Sequence, residues 1–325
     1  MEQNVRVADM ENGQQVQGFY LLEDVRCRVS ASGSPYISAR IADATGEMAA
    51  KLWNYSGPVT EADSGRVMLI RGEVGEYAGT PQFTIQRIRP ATERDNFDLR
   101  ALVPAAPLEP ETAMTEVREL LASMGDGDYR ALCEAMLERH LEAFQSMPAA
   151  KSVHHAFLSG LLMHTLNMMR AADFLAGLYA EVIDRDLLLA GAFLHDLGKE
   201  TEFARSELGL VTEYTVPGRL LGHLYLCAEE TAELARGLGL PEEKAMLLQH
   251  LILSHHGQPE FGAAVVPQCA ESELLALIDL TDSRMEIYAE ALRNTAPGAF
   301  SPRVYALEKS VYRRRDPEEE GEGSP

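Results

Sequence analysis

The spacing of apolar residues changes once along this chain, and that change divides it into two kinds of structure. In Tyr36-Ile37-Ser38-Ala39-Arg40-Ile41 apolar and polar side chains alternate, the period of a strand with one buried face. The runs "GFYLLEDVRCRVS", "PYISARIADATG", "EMAAKLWN", "RVMLIRGEVGEYAG" and "TPQFTIQRIRP" are short, rich in Val, Ile, Tyr and Phe, and broken by Gly, Pro, Asn and Ser. They read as five strands, enough for a small closed barrel. From residue 111 onward apolar residues recur at steps of three and four, in "MTEVRELLASM", "YRALCEAMLERHLEAF", "HAFLSGLLMHTLNMMRAADFLAGLY" and "RDLLLAGAFLHDLG", then in "GRLLGHLYLCAEETAELARGLG", "EEKAMLLQHLILSHHG" and "ESELLALIDLTDSRMEIYAEAL". These are helices. A short hairpin is expected over 206–216, through Leu208, Leu210, Val211 and Tyr214. The expected order is a barrel domain over 1–92, a linker over 93–112 marked by Pro104, Pro107 and Pro110, a helical domain over 113–312, and a disordered acidic tail over 313–325.

Charge limits the partners. The formal net charge is −21, and it is uneven: residues 1–100 carry 11 Lys/Arg against 14 Asp/Glu, the remainder 18 against 36. A nucleic-acid ligand therefore needs a local basic groove or bound cations to offset the field. The start, "MEQNVRVADMENG", has neither a basic nor an apolar segment, and no window approaches eighteen unbroken apolar residues. A cytoplasmic protein without signal peptide or membrane span is expected. Cys27, Cys133, Cys227 and Cys269 are far apart with no CxxC pair, which argues for reduced thiols over a disulfide framework or a thiolate zinc site.

The helical part carries the chemistry. His164 lies in "GLLMHTLNM", the His195–Asp196 doublet in "AGAFLHDLGK", His223 in "RLLGHLYL", the His255–His256 doublet in "LILSHHGQ", and Asp279 in "LLALIDLTD". Unpaired imidazoles and carboxylates among Leu and Ile are costly to bury. A shared metal ion removes that cost by pairing imidazole nitrogen with carboxylate oxygen. Adjacent residues inside a helix point about 100° apart, so a doublet can face one site only where the helix ends. Gly198 and Gly257 mark such endings. His140 and His250 read as packing or surface residues; His154 and His155 open a helix and stay outside the metal set.

The order H, HD, H, HH, D resembles the HD superfamily of metal-dependent phosphohydrolases. Together with "ADATGEMAAKLW", which resembles the strand–turn–strand segment of an OB-fold with Asp43, Thr45 and Gly46 in the turn, the chain is similar to the YhaM-type 3′–5′ exoribonucleases. These join an N-terminal five-stranded OB-fold barrel to an all-α HD domain. The stretches "HHAFLSGLLMHTLNM", "EYTVPGRLLGH", "LQHLILSHHGQPEFG" and "LIDLTDSRM" carry the match, over residues 10 to 312. The resemblance implies a first divalent ion on His164, His195, Asp196 and Asp279, and a second site completed by His223 and the His255–His256 doublet, His255 being favoured as ligand. Asp282 is a substitute or helper for Asp279. The family implies Mn²⁺; Mg²⁺, Co²⁺, Fe²⁺ or Ni²⁺, and one ion or two, stay open.

The implied reaction is metal-assisted hydrolysis of phosphodiesters in single-stranded RNA, with single-stranded DNA left open. Asp196 and Lys199 are the candidate catalytic residues, Lys199 meeting a phosphate oxygen or the leaving group. Arg219 and Arg284 are weaker candidates for phosphate. On the barrel, Tyr36, Trp53, Tyr55, Tyr77 and Phe83 are candidates for base stacking, and Arg40, Lys51 and Arg71 for phosphates. About half of those aromatics should be core, because alternation sends every other residue inside. Two other readings are an HD phosphohydrolase acting on nucleotides or cyclic dinucleotides and a non-catalytic OB-fold adaptor with a structural metal. A homo-oligomer is compatible with the family.

Overall fold

A computed structural model of the chain describes residues 4–30, 32–92, 94–95, 97–103, 106–149, 157–205, 211–293 and 295–315. The chain separates into two compact units near residue 105.

The first unit is a closed five-stranded barrel. Strands β1 (Gln15–Val29), β2 (Pro35–Asp43), β3 (Gly46–Trp53), β4 (Arg66–Tyr77) and β5 (Thr80–Pro90) close in the order β1-β2-β3-β5-β4. β1 pairs with β4 through its first half and β2 through its second, with a register shift between Glu23 and Arg26. That irregularity bends one long strand around the barrel. The β2–β3 turn is closed by Asp43, whose Oδ1 accepts from the backbone N–H and the hydroxyl of Thr45 at 2.7 and 2.6 Å. Inward residues alternate along every strand; Tyr20, Leu22, Ile41, Met68 and Ile70 fill the interior.

The same alternation corrects one expectation. Phe83 is fully buried in the barrel core beside Ile85, so it supports the barrel and offers no stacking face. Trp53, on the opposite phase of its strand, is 49% exposed.

The second unit is helical: α1 (Pro110–Ala122), α2 (Gly127–Ser146), α3 (Gly160–Leu178), α4 (Arg185–Leu194), the single turn α5 (Lys199–Glu202), α6 (Val216–Leu238), α7 (Glu242–Ser254) and α8 (Ala270–Arg293), with a two-stranded sheet of β6 (Phe203–Arg205) and β7 (Val211–Tyr214) between α5 and α6. Every residue of α4 from Leu187 to Leu194 is buried, so this helix runs through the core with α2, α3, α7 and α8 packed on it. Asp184 caps it, accepting from the N–H groups of Asp186 and Leu187. Among the described residues no helix is long and apolar enough to cross a membrane. All four cysteines are free thiols.

Three boundaries differ from expectation. The linker is short, because α1 already starts at Pro110 and the Ala106 N–H donates to the Leu158 carbonyl at 2.8 Å; Leu102 and Val103 are buried. The tail does not begin at 313. The Arg313 backbone pairs with Gly298 and Ala299, and its guanidinium donates to the carbonyls of Leu292 and Thr295 near the end of α8; residues 316–325 lie outside the described residues. The first arm of the hairpin is Phe203–Arg205, and Leu208 and Leu210 fall outside the described residues, as do His154 and His155.

Core and surface aromatics of the barrel should respond differently to truncation. Phe83→Ala is expected to destabilise the protein by about 3–5 kcal/mol, and Trp53→Ala by about 1 kcal/mol or less. Urea denaturation of both variants measures this; equal losses would contradict the assignment of inner and outer faces.

Candidate metal centre

Two helix ends set up the site. α4 stops at Leu194, and His195 and Asp196 occupy the turn before α5. α7 stops at Ser254, and His255 and His256 follow in the same way. Gly198 has ordinary helical angles, so a left-handed ending is not its role. A Cβ there would lie 2.4 Å from the His223 carbonyl and 2.9 Å from Cys227 Cβ, so only glycine lets the HD turn sit directly on α6. α6 itself is broken at Gly222, whose φ of 74° and ψ of 159° leave the helical region. The break frees the His223 backbone N–H, which donates to Glu202 Oε1 at 3.1 Å.

His164 from α3, the His195–Asp196 turn, His223 from α6, the His255–His256 turn and Asp279 from α8 converge. His164 Nε2 lies 3.1 Å from His195 Nε2, 3.6 Å from Asp196 Oδ2 and 3.4 Å from Asp279 Oδ1. His195 Nε2 is 3.4 Å from Asp196 Oδ2. The other oxygen of Asp196 faces the second set: Oδ1 is 3.5 Å from His223 Nε2 and 3.8 Å from His255 Nε2. Ligands held about 2.1 Å from a divalent ion are separated by about 3.0–3.4 Å in octahedral or tetrahedral arrangements. The first set lies close to that spacing, at 3.1–3.6 Å. Two groups, His164–His195–Asp196 and His223–His255–His256, each place their donor atoms within 4.8 Å of one another. Asp196 stands between them with one oxygen toward each.

The imidazoles are oriented for ligation through Nε2. His164 Nδ1 donates to Asp282 Oδ2 at 2.7 Å, and Asp282 Oδ1 accepts from Asn167 Nδ2 at 3.0 Å. His195 Nδ1 donates to the Ala192 carbonyl at 2.9 Å, His255 Nδ1 to the Ile252 carbonyl at 2.7 Å, and His223 Nδ1 to Glu202 Oε1 at 3.1 Å. A histidine whose Nδ1 carries the proton presents the Nε2 lone pair. Among the described residues, three buried polar atoms at this centre have no hydrogen-bond partner: Asp196 Oδ1, His223 Nε2 and His256 Nδ1. Orphaned lone pairs aimed at common points fit divalent cations of the kind the donor set favours.

The electrostatics agree at the carboxylates and at the second doublet; at His164 burial opposes protonation, but Asp279 and Asp282 raise the pKa to about 10 from 6.5, so a cation held there must displace the Nε2 proton. Burial opposes ionisation of Asp196, but Lys199 and the surrounding histidines hold its carboxyl well below the ordinary carboxylate range. Burial likewise opposes ionisation of Asp279, and His164 outweighs it, so its carboxyl too stays ionised. Burial, then the neighbouring imidazoles, push His255 and His256 down, leaving them neutral and able to ligate. Lys199 Nζ lies 2.6 Å from Asp196 Oδ2.

The other candidates divide. His250 Nε2 accepts from the Gln268 backbone N–H at 2.9 Å, in a loop contact. Arg219 is exposed, 3.7 Å from Glu213. On the barrel, the rings of Tyr36 and Trp53 pack with centroids 4.8 Å apart, and Lys51 Nζ lies 5.2 Å over the Tyr36 ring. Tyr77 is exposed at the β4–β5 turn. Arg40 is a correction: Glu23, Asp24 and Glu47 surround its guanidinium at 3.6, 2.9 and 3.3 Å. Cross-strand carboxylates on both sides use up the charge expected to serve phosphate.

Residues 161–284 match the HD domain family. The 3′–5′ exoribonuclease YhaM of Halalkalibacterium halodurans is 36% identical over 304 residues, covering 93% of each chain. The protein of the same name from Bacillus subtilis is 35% identical over 306 residues, 93% of this chain and 96% of that one. The chain belongs to the YhaM 3′–5′ exoribonuclease family. The second OB-fold domain of replication protein A from Methanococcus maripaludis overlays 30% of the chain at 14% identity, with a TM-score of 0.23.

Family membership carries divalent-metal dependence through the HD domain. Some residues around the centre escaped the sequence. Asp282 was visible only as a substitute or helper for Asp279, and it grips the back of His164. Its signal was present: Asp279 and Asp282, like His164 and Asn167, are three apart and share a helix face. Glu202 gave no signal, because its contact with His223 depends on the break at Gly222.

Asp282→Asn should weaken binding of the divalent ion about 10–100-fold, measured by titration calorimetry on the metal-stripped protein. Unchanged affinity would remove Asp282 from the centre. A separate buried group contributes to the alkaline limb of stability. His140 on α2 donates from Nδ1 to Glu200 and from Nε2 to Glu230, the latter at 3.1 Å. Burial opposes its protonation, but the two carboxylates push its pKa up to about 9 from 6.5. The contribution is therefore complete below pH 6.5 and is lost as the pH rises through about 9. His140→Gln should flatten that part of the stability profile, read from melting temperatures between pH 6 and 10.

Proposed function

We propose that this chain is a divalent-metal-dependent 3′–5′ exoribonuclease that hydrolyses phosphodiester bonds of single-stranded RNA, with the barrel holding the strand and the helical domain performing the hydrolysis. The observation that carries it is Asp196, a buried carboxylate with one oxygen toward each of two imidazole clusters. The close likeness to proteins named as 3′–5′ exoribonucleases supports the direction and the substrate.

His164, His195, Asp196 and Asp279 would hold one ion, and His223, His255 and His256, with the second oxygen of Asp196, another; Mn²⁺ is the ion we favour. When bound, such ions lower the pKa of water and neutralise charge on phosphate oxygens. The chain's own groups do the rest. Glu202, Asp282 and the Ala192 and Ile252 carbonyls keep the Nδ1 of His223, His164, His195 and His255 protonated and their Nε2 turned inward. Lys199, only 12% exposed, puts an ammonium at the edge of the centre, where it offsets the charge of an entering phosphate and the departing 3′-oxygen. Trp53 and Tyr36 give unpaired bases a stacking face, and Lys51 gives their phosphates a cation. Tyr77 extends that exposed face. The cytoplasm, the compartment of RNA turnover, is the location that fits reduced thiols.

Purified protein incubated with 5′-labelled single-stranded RNA or DNA, beside mononucleotides and cyclic dinucleotides, in Mn²⁺, Mg²⁺ or EDTA, tests the reading. RNA should shorten progressively from its 3′ end in Mn²⁺ and remain intact in EDTA. His195→Ala with Asp196→Ala should lower the rate at least about 10³-fold, since several kcal/mol of charge stabilisation are removed. Cleavage of cyclic dinucleotides alone would transfer the assignment to a small-molecule phosphohydrolase.

A further inference from the structure

The outer surface of the barrel carries a second feature, away from the Tyr36–Trp53 pair, that no part of the reaction uses. The parallel pairing of β3 with β5 covers only Ala49–Lys51 against Gln82–Thr84. Just beyond it, the β4–β5 register shifts between Arg71 and Gly72: Arg71 pairs with Arg87 and Gly72 with Ile85, so Gln86 is the extra residue of a bulge. A bulge re-aims side chains. Gln86 and Arg87, which alternation would send to opposite faces, are both exposed, and both line one groove of about 480 Å³.

The floor of this groove is apolar, formed by Leu52, Leu69, Ile88 and the ring of Tyr55. Its rim is cationic and amide-bearing. Arg71 and Arg87 stand directly opposite one another across antiparallel strands, and Gln17 is opposite Arg71 on the other side. Like charges in register repel, and among the described residues neither guanidinium has an acidic partner. Arg89, by contrast, is neutralised by two hydrogen bonds to Asp95, each 2.7 Å. The amides of Gln17 and Gln86 also have no hydrogen-bond partner among the described residues. Unpaired twin arginines over an apolar floor, flanked by free amides, match a nucleotide: base on the floor, base edge on the amides, phosphate between the guanidiniums.

We propose that this groove is a second nucleotide subsite for the single strand, distinct from the Trp53 platform and reached from it along Leu52–Tyr55. It rests on the reading of the chain as a nuclease for single strands, and supplies the local basic groove that so acidic a protein needs to hold one.

The test uses the full-length protein and a fluorescent single-stranded oligoribonucleotide, with EDTA to stop hydrolysis, and anisotropy titrations over a range of salt. Each phosphate contact on a single strand contributes about 0.7 to the slope of log K against log salt. Arg71→Ala/Arg87→Ala should lower the slope by about 1.4 and weaken binding. Arg118→Ala/Arg303→Ala, which removes the same charge from exposed positions of the helical unit, should leave the slope unchanged. Equal losses in both double variants would reduce the effect to general electrostatics and overturn the subsite, as would a groove variant that binds like wild type. In a second arm, 5-iodouridine RNA should photocrosslink to Tyr55 as well as to Trp53; crosslinks at Trp53 alone would remove the base from the groove floor. Melting curves confirm that each variant is folded. If wild type itself left RNA intact in Mn²⁺, the exoribonuclease reading would fall; if it degraded RNA while the groove variant kept its full salt slope, only the subsite would.

Discussion

Everything in the helical unit is arranged around the ionised carboxylate of Asp196, buried to 2% exposure. An isolated buried carboxylate is among the most unfavourable groups a core can contain. Here the charge is answered by Lys199 on one oxygen and by imidazoles from α3, α6 and the ends of α4 and α7 around both. The helices cannot rearrange without separating those groups, so the demand for compensation also specifies the packing. Gly198 belongs to the same demand, because a side chain there would force α6 away and His223 with it.

The histidines differ from a random polar cluster in how they are held. Each of the four inward Nε2 atoms belongs to a ring fixed from behind by a carboxylate or a carbonyl. Orientation fixed before the ion arrives lowers the entropy lost on binding, which is the usual purpose of such outer contacts. His140 forms the contrasting case: a buried imidazole with carboxylates on both nitrogens has no lone pair to give, and functions as a cationic rivet between α2, α5 and α6.

Much of this was legible in the residues. The switch from alternation to three-and-four spacing located the barrel and the bundle, and the order of His and Asp on apolar helices named the residues that converge. What escaped depended on contacts between distant elements. Whether Phe83 or Trp53 faced the interior was a matter of strand phase, which alternation leaves open by one residue. Arg40 looked available because its cross-strand neighbours Glu23 and Glu47 lie far from it in sequence. Glu202 needed the break at Gly222, and the bulge at Gln86 left only a trace, the polar pair Gln86–Arg87 that puts Ile88 three residues after Ile85.

Both ligand doublets follow immediately after a helix, at the ends of α4 and α7. A helix carries partial negative charge at its carboxyl end, so two such poles are directed at one locality. That background attracts any cation with little regard to its chemistry. Selection among metals must then fall to the nitrogen-to-oxygen balance of the donors and to which ions the cell keeps in supply.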